Sequence, residues 1–169
     1  MIFAMTKEQY IKITEPLRSN PERANRVTSL NHVLTALVFC VYPLYLFMLF
    51  ADKDPWLWHA ILVPAVSFVG LSIVRKIINA PRPYEKFDMP PVLEKDTKGK
   101  AFPSRHVFSV FIIAMTIFYE HPGAGVMLGI IGLLLGIVRV LVGVHEPKDI
   151  AAGALAGIVC GIVGYYMIG

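Results

Sequence analysis

Charge is scarce in this sequence: Asp, Glu, Lys and Arg make up 17% of its 169 residues, against 56% apolar. Soluble domains carry about 25% charged and roughly 45–50% apolar residues, so the shortage points to a membrane protein, as does the mean hydropathy of +0.60. Intrinsic disorder is excluded, because it needs low hydrophobicity with high net charge. Cysteine is nearly absent: Cys40 and Cys160 both sit in apolar runs, so there is no disulfide framework and both read as small core hydrophobes. No His/Cys or carboxylate cluster has metal-ligand spacing, so no metal and no other cofactor is expected. A P-loop is also missing, which leaves nucleotide-type phosphate binding unsupported, and no nucleic-acid partner is expected. Nor does a cleaved signal peptide fit, since the first apolar run begins near residue 30 and no small-residue cleavage site precedes a mature domain.

What the sequence does have is five apolar stretches, at about 30–50, 56–78, 107–119, 123–144 and 150–169. A bilayer core of ~30 Å takes about 20 helical residues. Four stretches are that long, and the third reaches it if Ser104, Arg105 and His106 form its first turn. The expected fold is all-α: an integral membrane helical bundle with about five spanning helices plus an N-terminal interfacial helix. It divides into a surface helix and linker at 1–28 and a membrane domain at 29–169, whose long connection at 79–103 is rich in proline and charge.

At the N-terminus, Thr6 and Gln9 fit a capping box, Tyr10, Ile13 and Leu17 share a helical face, and Pro16 limits the helix. Asn20-Pro21 is a second helix start, so the first span begins before its apolar part. Glycines four apart in the last two stretches (Gly125/Gly129, Gly132/Gly136, Gly153/Gly157/Gly161) predict close helix packing.

The net charge of +4 is one-sided. With five spans, 15 of the 16 Lys and Arg fall on the face shared by the N-terminus, the 79–103 loop and the 144–149 turn, and Lys53 alone falls on the other. Three clusters close or open helices on that face: Arg75-Lys76 with Arg82-Pro83, then Pro103-Ser104-Arg105-His106, then Arg139, His145 and Asp149. Ionisable groups beside membrane spans are expensive to keep and functional by default. Guanidinium forks suit phosphate oxygens. Ser104 at a helix N-cap would turn a hydroxyl and free N–H groups toward an anion, and Pro147 sets a second helix start near Glu146. Asp149 one turn beyond His145 can hold one imidazole nitrogen protonated and leave the other free to attack. Cations, a nucleophile and an acid together suit phosphoryl transfer. Any one of these arginines alone could merely reach for lipid headgroups; it is the three clusters on one face that point to chemistry. His59 and His121 fall near the far face, and His32 near the start of the first span is a further candidate substrate contact.

These residues resemble the type 2 phosphatidic acid phosphatase superfamily, the lipid phosphate phosphatases. That family carries a basic residue, six positions, Arg-Pro; then Pro-Ser-Gly-His; then Ser-Arg, five positions, His, three positions, Asp. Here the three read Arg75 with Arg82-Pro83, Pro103-Ser104-Arg105-His106, and Val138-Arg139 with His145 and Asp149, within about 75–149. The usual Lys of the first motif is Arg75, with Lys76 beside it to fill the same place; the usual Gly of the second is Arg105, an added cation; the usual Ser of the third is Val138. The resemblance implies an active-site loop at 79–103 and a multi-pass membrane enzyme acting on a lipid phosphate, with undecaprenyl diphosphate first among substrates and phosphatidic acid or phosphatidylglycerol phosphate next. It implies that His145 attacks phosphorus and forms a phosphohistidine. His106 then protonates the leaving group and later activates water, and Asp149 orients His145. Arg75, Arg82, Ser104 and Arg139 hold the phosphate, with Lys76 and Arg105 as further substrate-binding candidates, and no metal is needed. A phosphotransferase using the same pocket and a non-enzymatic headgroup carrier are the competing readings. The cation bias predicts a cytoplasmic motif face, whereas family members usually work on the outer or luminal leaflet; the outer face of the cell membrane is the expectation adopted.

Overall fold

The computed structural model describes residues 5–95 and 97–168. Residues 1–4 of the expected surface segment, Asp96 of the expected loop and Gly169 of the last stretch lie outside the described residues. The described chain is all-helical: α1 (Lys7–Arg18), α2 (Pro21–Ala51), α3 (Trp56–Ile78), the short α4 (Pro83–Lys86), α5 (Arg105–Phe118), α6 (Pro122–Leu141) and α7 (Pro147–Ile162), which runs into a π-helical turn at Val163–Met167.

Local signals account for most boundaries. The Thr6 side chain accepts from the Gln9 N–H at 3.2 Å while Gln9 Oε1 accepts from the Thr6 N–H at 3.0 Å, closing the capping box of α1. Pro16 does not stop this helix, which continues through it to Arg18. Asn20 caps α2 through the Arg23 N–H at 3.1 Å, with Pro21 at the first helical position, so α2 starts nine residues before its apolar stretch at 30. Asn79, in the left-handed region with φ 42°, ends α3.

Four helices, α2, α3, α6 and α7 with its π-turn, are long and apolar enough to cross a membrane, and the chain is a multi-pass membrane protein. Their outward faces carry exposed side chains such as Phe39, Phe47, Val66, Met127 and Leu155, the pattern expected of a lipid-facing surface. The third apolar stretch behaves differently. Arg105 and His106 do form its first turn, yet α5 is only 14 residues long, which is about 21 Å at 1.5 Å per residue. It is instead the buried centre of the bundle, with Val107, Phe108, Val110, Ile112 and Thr116 all shielded by α6 and α7 on either side and by α3.

Small residues permit that enclosure. A Cβ on Gly153 would lie 2.6 Å from the Ser104 carbonyl oxygen, one on Gly157 2.8 Å from Phe111 Cβ, and one on Gly161 2.5 Å from Met115 Cβ. From the other side, Gly125 lies against Phe118 and Gly132 against Phe111, while Gly136 receives Ile150 of α7. Gly129 faces open space and takes no part in this packing. α1 folds over the polar end of the bundle. Tyr10 is fully buried, and its hydroxyl donates to the Gly143 carbonyl at 3.3 Å. Gly143 has φ +77°, and a Cβ there would lie 2.6 Å from that hydroxyl, so both backbone and space call for glycine.

Candidate active site

Because consecutive helices run in opposite directions, the C-terminal ends of α3 and α6 meet the N-terminal ends of α5 and α7. Arg75 and Arg139 come from the former, and Ser104, His106 and Asp149 from the latter, with His145 on the turn between α6 and α7. Arg75, Arg82, Ser104, Arg139, His145 and Asp149 are all buried.

The basic side chains are not equivalent. Arg75 donates to the main-chain carbonyls of Lys100, Ala101 and Pro103, and so clips the end of the 79–103 loop to α3. Arg82 donates from Nε to the Gly99 carbonyl at 3.2 Å and from a terminal nitrogen to the Val144 carbonyl at 3.3 Å, joining that loop to the His145 turn. Arg139 donates once, to Asn31 Oδ1 at 3.3 Å, and its Nε and second terminal nitrogen have no partner among the described residues. Ser104 stands at the N-cap of α5, but its hydroxyl does not close the cap and is likewise unpartnered among the described residues; its N–H donates to the Asp149 carbonyl at 2.8 Å. A buried polar atom without a partner costs about 1–3 kcal/mol, and Asp149 Oδ1 is a further such atom in addition to those of Arg139 and Ser104. Neither Arg139 nor Ser104 lines the cavity walled by His106 and His145.

His145 Nδ1 lies 3.3 Å from Asp149 Oδ2, which also accepts the Glu146 N–H at 2.9 Å. That second bond fixes the carboxylate, the carboxylate fixes the imidazole, and Nε2 is left to act. Burial first, and then the cations Arg139, Arg82, Arg75 and Lys95, hold the protonation of His145 well below the ordinary histidine range. The ring is therefore neutral near pH 7, as a nucleophile must be.

A cavity of about 60 Å³ is lined by Arg75, Arg82, Lys95, Thr97, Arg105, His106 and His145. The two histidines thus reach one space from different elements. Arg105 and His106 also line a second cavity of about 220 Å³, which shares Val38, Phe39, Phe68 and Ser109 with a third of about 530 Å³ between α2, α3 and α5. The cavities thus adjoin in series through shared wall residues, from a cationic end to an apolar groove. The Arg105 guanidinium stands at their junction, 5.6 Å from the centre of the Phe68 ring.

Two sequence expectations need correction. Lys76 is exposed and does not line the cavity, because Arg75 takes the inward position on α3. His32 is exposed too; the inward residue at that level of α2 is Asn31, which meets Arg139. Sequence reasoning missed Asn31, although an amide beside an apolar run was a usable signal. It also missed Lys95 and Thr97, which lie in an aperiodic loop with no such signal, and the buried Glu146, which bonds Lys86 at 3.0 Å, Lys148 at 3.1 Å and the Met5 N–H at 3.2 Å.

A family model described as the PAP2 superfamily matches residues 56–169. The chain is 30% identical over 110 residues to the bacitracin transport permease protein BcrC of Bacillus licheniformis, covering 63% of this chain and 54% of that one, so it spans about half the length of this curated relative. Among solved structures, LpxE of Aquifex aeolicus superposes with a TM-score of 0.73 at 27% identity, covering 96% of both chains. A transmembrane PAP2-type phosphatidylglycerolphosphate phosphatase of Bacillus subtilis shares the fold, with a TM-score of 0.56 at 20% identity, covering 92% of this chain and 90% of that one. The phosphatases of the matched family are metal-independent lipid phosphate hydrolases. Since the family match runs from the start of α3 through the last turn, and so takes in every motif residue that walls the cationic cavity, this chain belongs to the PAP2 superfamily.

Proposed function

We propose that this chain is an integral membrane phosphatase that hydrolyses a lipid phosphate or diphosphate through a phosphohistidine on His145, with undecaprenyl diphosphate as its first-choice substrate and phosphatidic acid or phosphatidylglycerol phosphate next. The observation that carries the reading is the series of adjoining cavities from the cationic one to the apolar groove. A phosphorylated headgroup fits one end and an acyl or isoprenoid chain the other, and Phe39, on the wall of the groove, faces lipid.

In this reading Nε2 of neutral His145 attacks phosphorus in line. Arg139 and Ser104 supply uncommitted donors to the phosphoryl oxygens, while Arg75 and Arg82 supply charge and hold the walls in place. Burial first, and then Arg139 and Lys95, hold His106 well below the ordinary histidine range. A phosphate dianion bound there offsets those cations, so that His106 enters the step as imidazolium, gives its proton to the leaving oxygen and then takes one from the water that hydrolyses the P–N bond. Asp149 stabilises the charged imidazole that forms on His145. We place the site on the outer face of the cell membrane; reaction of Lys98→Cys with an impermeant thiol reagent in intact cells supports this, and reaction only after lysis refutes it.

Replacement of His145 by Ala is expected to abolish phosphate release from purified protein supplied with a panel of lipid phosphates and diphosphates. Near wild-type release by that variant would sink the assignment. Trapping radiolabelled phosphohistidine rejects the headgroup-carrier reading, and mass spectrometry that finds inorganic phosphate and no phosphorylated acceptor lipid rejects the transferase.

A further inference from the structure

Two cations in the cavity belong to no position that the family motifs reserve for a basic residue. Arg105 occupies the usual glycine position of the second motif, and Lys95 comes from the long loop. The loop holds Lys95 in place from both sides. Before it, the Val92 N–H donates to the Val142 carbonyl at 3.0 Å. After it, the Tyr84 hydroxyl donates to the Thr97 carbonyl, and the Gly99 N–H donates to Glu85 Oε2 at 2.8 Å. Lys95 is thus flanked by pinned residues at 92, 97 and 99 and lies half-buried against the cavity. It makes no ion pair among the described residues.

The donors divide unevenly. Arg75 and Arg82 already spend donors on five main-chain carbonyls, those of Lys100, Ala101, Pro103, Gly99 and Val144. Arg139 is not on the cavity wall, but it leaves two nitrogens without a partner among the described residues, and in the reading above these meet the phosphoryl group under attack. Arg105 and Lys95 are therefore surplus to one phosphoryl group. Arg105 is exposed and lines both the cationic cavity and the cavity next to it on the groove side, so a group it binds would lie between the phosphorus at His145 and the lipid chain.

We propose that Arg105 and Lys95 form a second phosphate subsite, which receives the chain-proximal phosphate of a lipid diphosphate and makes such diphosphates the preferred substrate class. The proposal rests on the phosphatase reading above. In the reaction it implies, the P–N bond to His145 forms as the bond from the terminal phosphorus to the bridging oxygen breaks. The electron pair stays on that oxygen, which becomes part of the departing lipid monophosphate, and the added charge there is what Arg105 and Lys95 meet. Water then hydrolyses the phosphohistidine, releasing inorganic phosphate and restoring His145. Burial, with Arg139, Arg82, Arg105 and Arg75 nearby, lowers the Lys95 ammonium to about 8, so it remains largely charged at neutral pH.

The test uses the purified full chain in detergent and two isoprenoid lipids of equal chain length, one a diphosphate and one a monophosphate. A charge-assisted hydrogen bond contributes about 1.5–3 kcal/mol, which corresponds to about 10- to 160-fold in rate. Arg105→Ala and Lys95→Ala are each expected to cut kcat/KM for the diphosphate by about that factor and to cut it for the monophosphate by roughly tenfold less. Lys95→Arg is expected to recover most of the diphosphate rate. Equal losses on both lipids, or no loss on the diphosphate, overturn the subsite while leaving the phosphatase standing. Wild-type protein that releases phosphate from the monophosphate alone also overturns the subsite. Release from neither lipid by wild type overturns the phosphatase reading and the subsite with it.

Discussion

The two ends of this bundle bury different things. The motif end buries ionisable groups: Arg75, Arg82, Arg139, His145, Glu146 and Asp149 are each almost wholly shielded. The opposite end gathers rings, with Tyr45 and Tyr165 buried, Trp56 half-buried and Tyr119 and His59 exposed. Trp56 stacks on Tyr119 at 4.2 Å and on His59 at 5.3 Å and leans on Tyr165 at 5.2 Å, while the Tyr165 hydroxyl meets Thr116 Oγ1 at 2.6 Å and Tyr45 donates to Glu120 at 2.7 Å. Stacked rings with a polar edge suit the boundary between lipid and water and carry little desolvation penalty. Buried ions cost several kcal/mol each unless they are paired, and Arg139 is only partly satisfied. We read the difference as a holding end, where rings stack, and a working end, where Arg139 and Ser104 keep donors free for the proposed phosphate; Trp56 Nε1 at the holding end and Asp149 Oδ1 at the working end are also without a partner among the described residues.

The sharpest way to break that division is at Asp149. Asp149→Asn keeps the side-chain shape but can turn an amide N–H toward His145 Nδ1, selecting the wrong tautomer, and turnover is expected to fall by about 10³–10⁴-fold. The thermal midpoint in detergent should move little by comparison. A variant that kept its rate and lost its stability would make the His145–Asp149 contact a structural one.

Between the ends, the α5–α7 seam should respond in stability. Gly157→Val places side-chain atoms where a Cβ already comes 2.9 Å from the Phe108 carbonyl oxygen, and overpacking of this kind costs about 1–3 kcal/mol. Gly129→Ala, which meets nothing within 4 Å, is the control and should gain a few tenths to about 1 kcal/mol from helix propensity alone. Thermal unfolding of both in one detergent checks the pair; equal losses would mean that the glycine spacing does not set the packing. At the far end, Trp56→Ala removes three ring contacts worth roughly 0.5–1.5 kcal/mol each. It should lower the thermal midpoint while phosphate release per folded molecule is preserved. Lost turnover at unchanged stability would show that the holding end also works.

Much of this division was legible in the sequence. Helix starts at Thr6, Asn20 and Pro147 follow from short-range capping, and the motif residues converge because alternating helices return every other terminus to one face. The place of α5 was less legible. Its apolar composition resembles that of a lipid-facing span, and only packing shows that its neighbours, through Gly153, Gly157 and Gly161, enclose it. The choice between Arg75 and Lys76 was equally closed to inspection, because neighbours on a helix point about 100° apart and the chain alone does not say which faces inward. Lys95 was out of reach for a different reason. The residues on either side of it are held by long-range bonds from Val142, Tyr84 and Glu85, none of which leaves a local pattern.

Lys95 also gives the finest test of the working end, and the smallest effect at neutral pH. Its ammonium, lowered to about 8 by burial and by Arg139, Arg82, Arg105 and Arg75, is charged below that pH and neutral above it. Because kcat/KM reports the free enzyme, the profile for a lipid diphosphate should bend downward above about pH 8. Lys95→Arg, whose guanidinium stays protonated to beyond about pH 12, should carry the limb to higher pH with only a modest change in rate at pH 7. The same limb in both proteins would assign the alkaline fall to another group and return Lys95 to the role of a loop residue that merely borders the cavity.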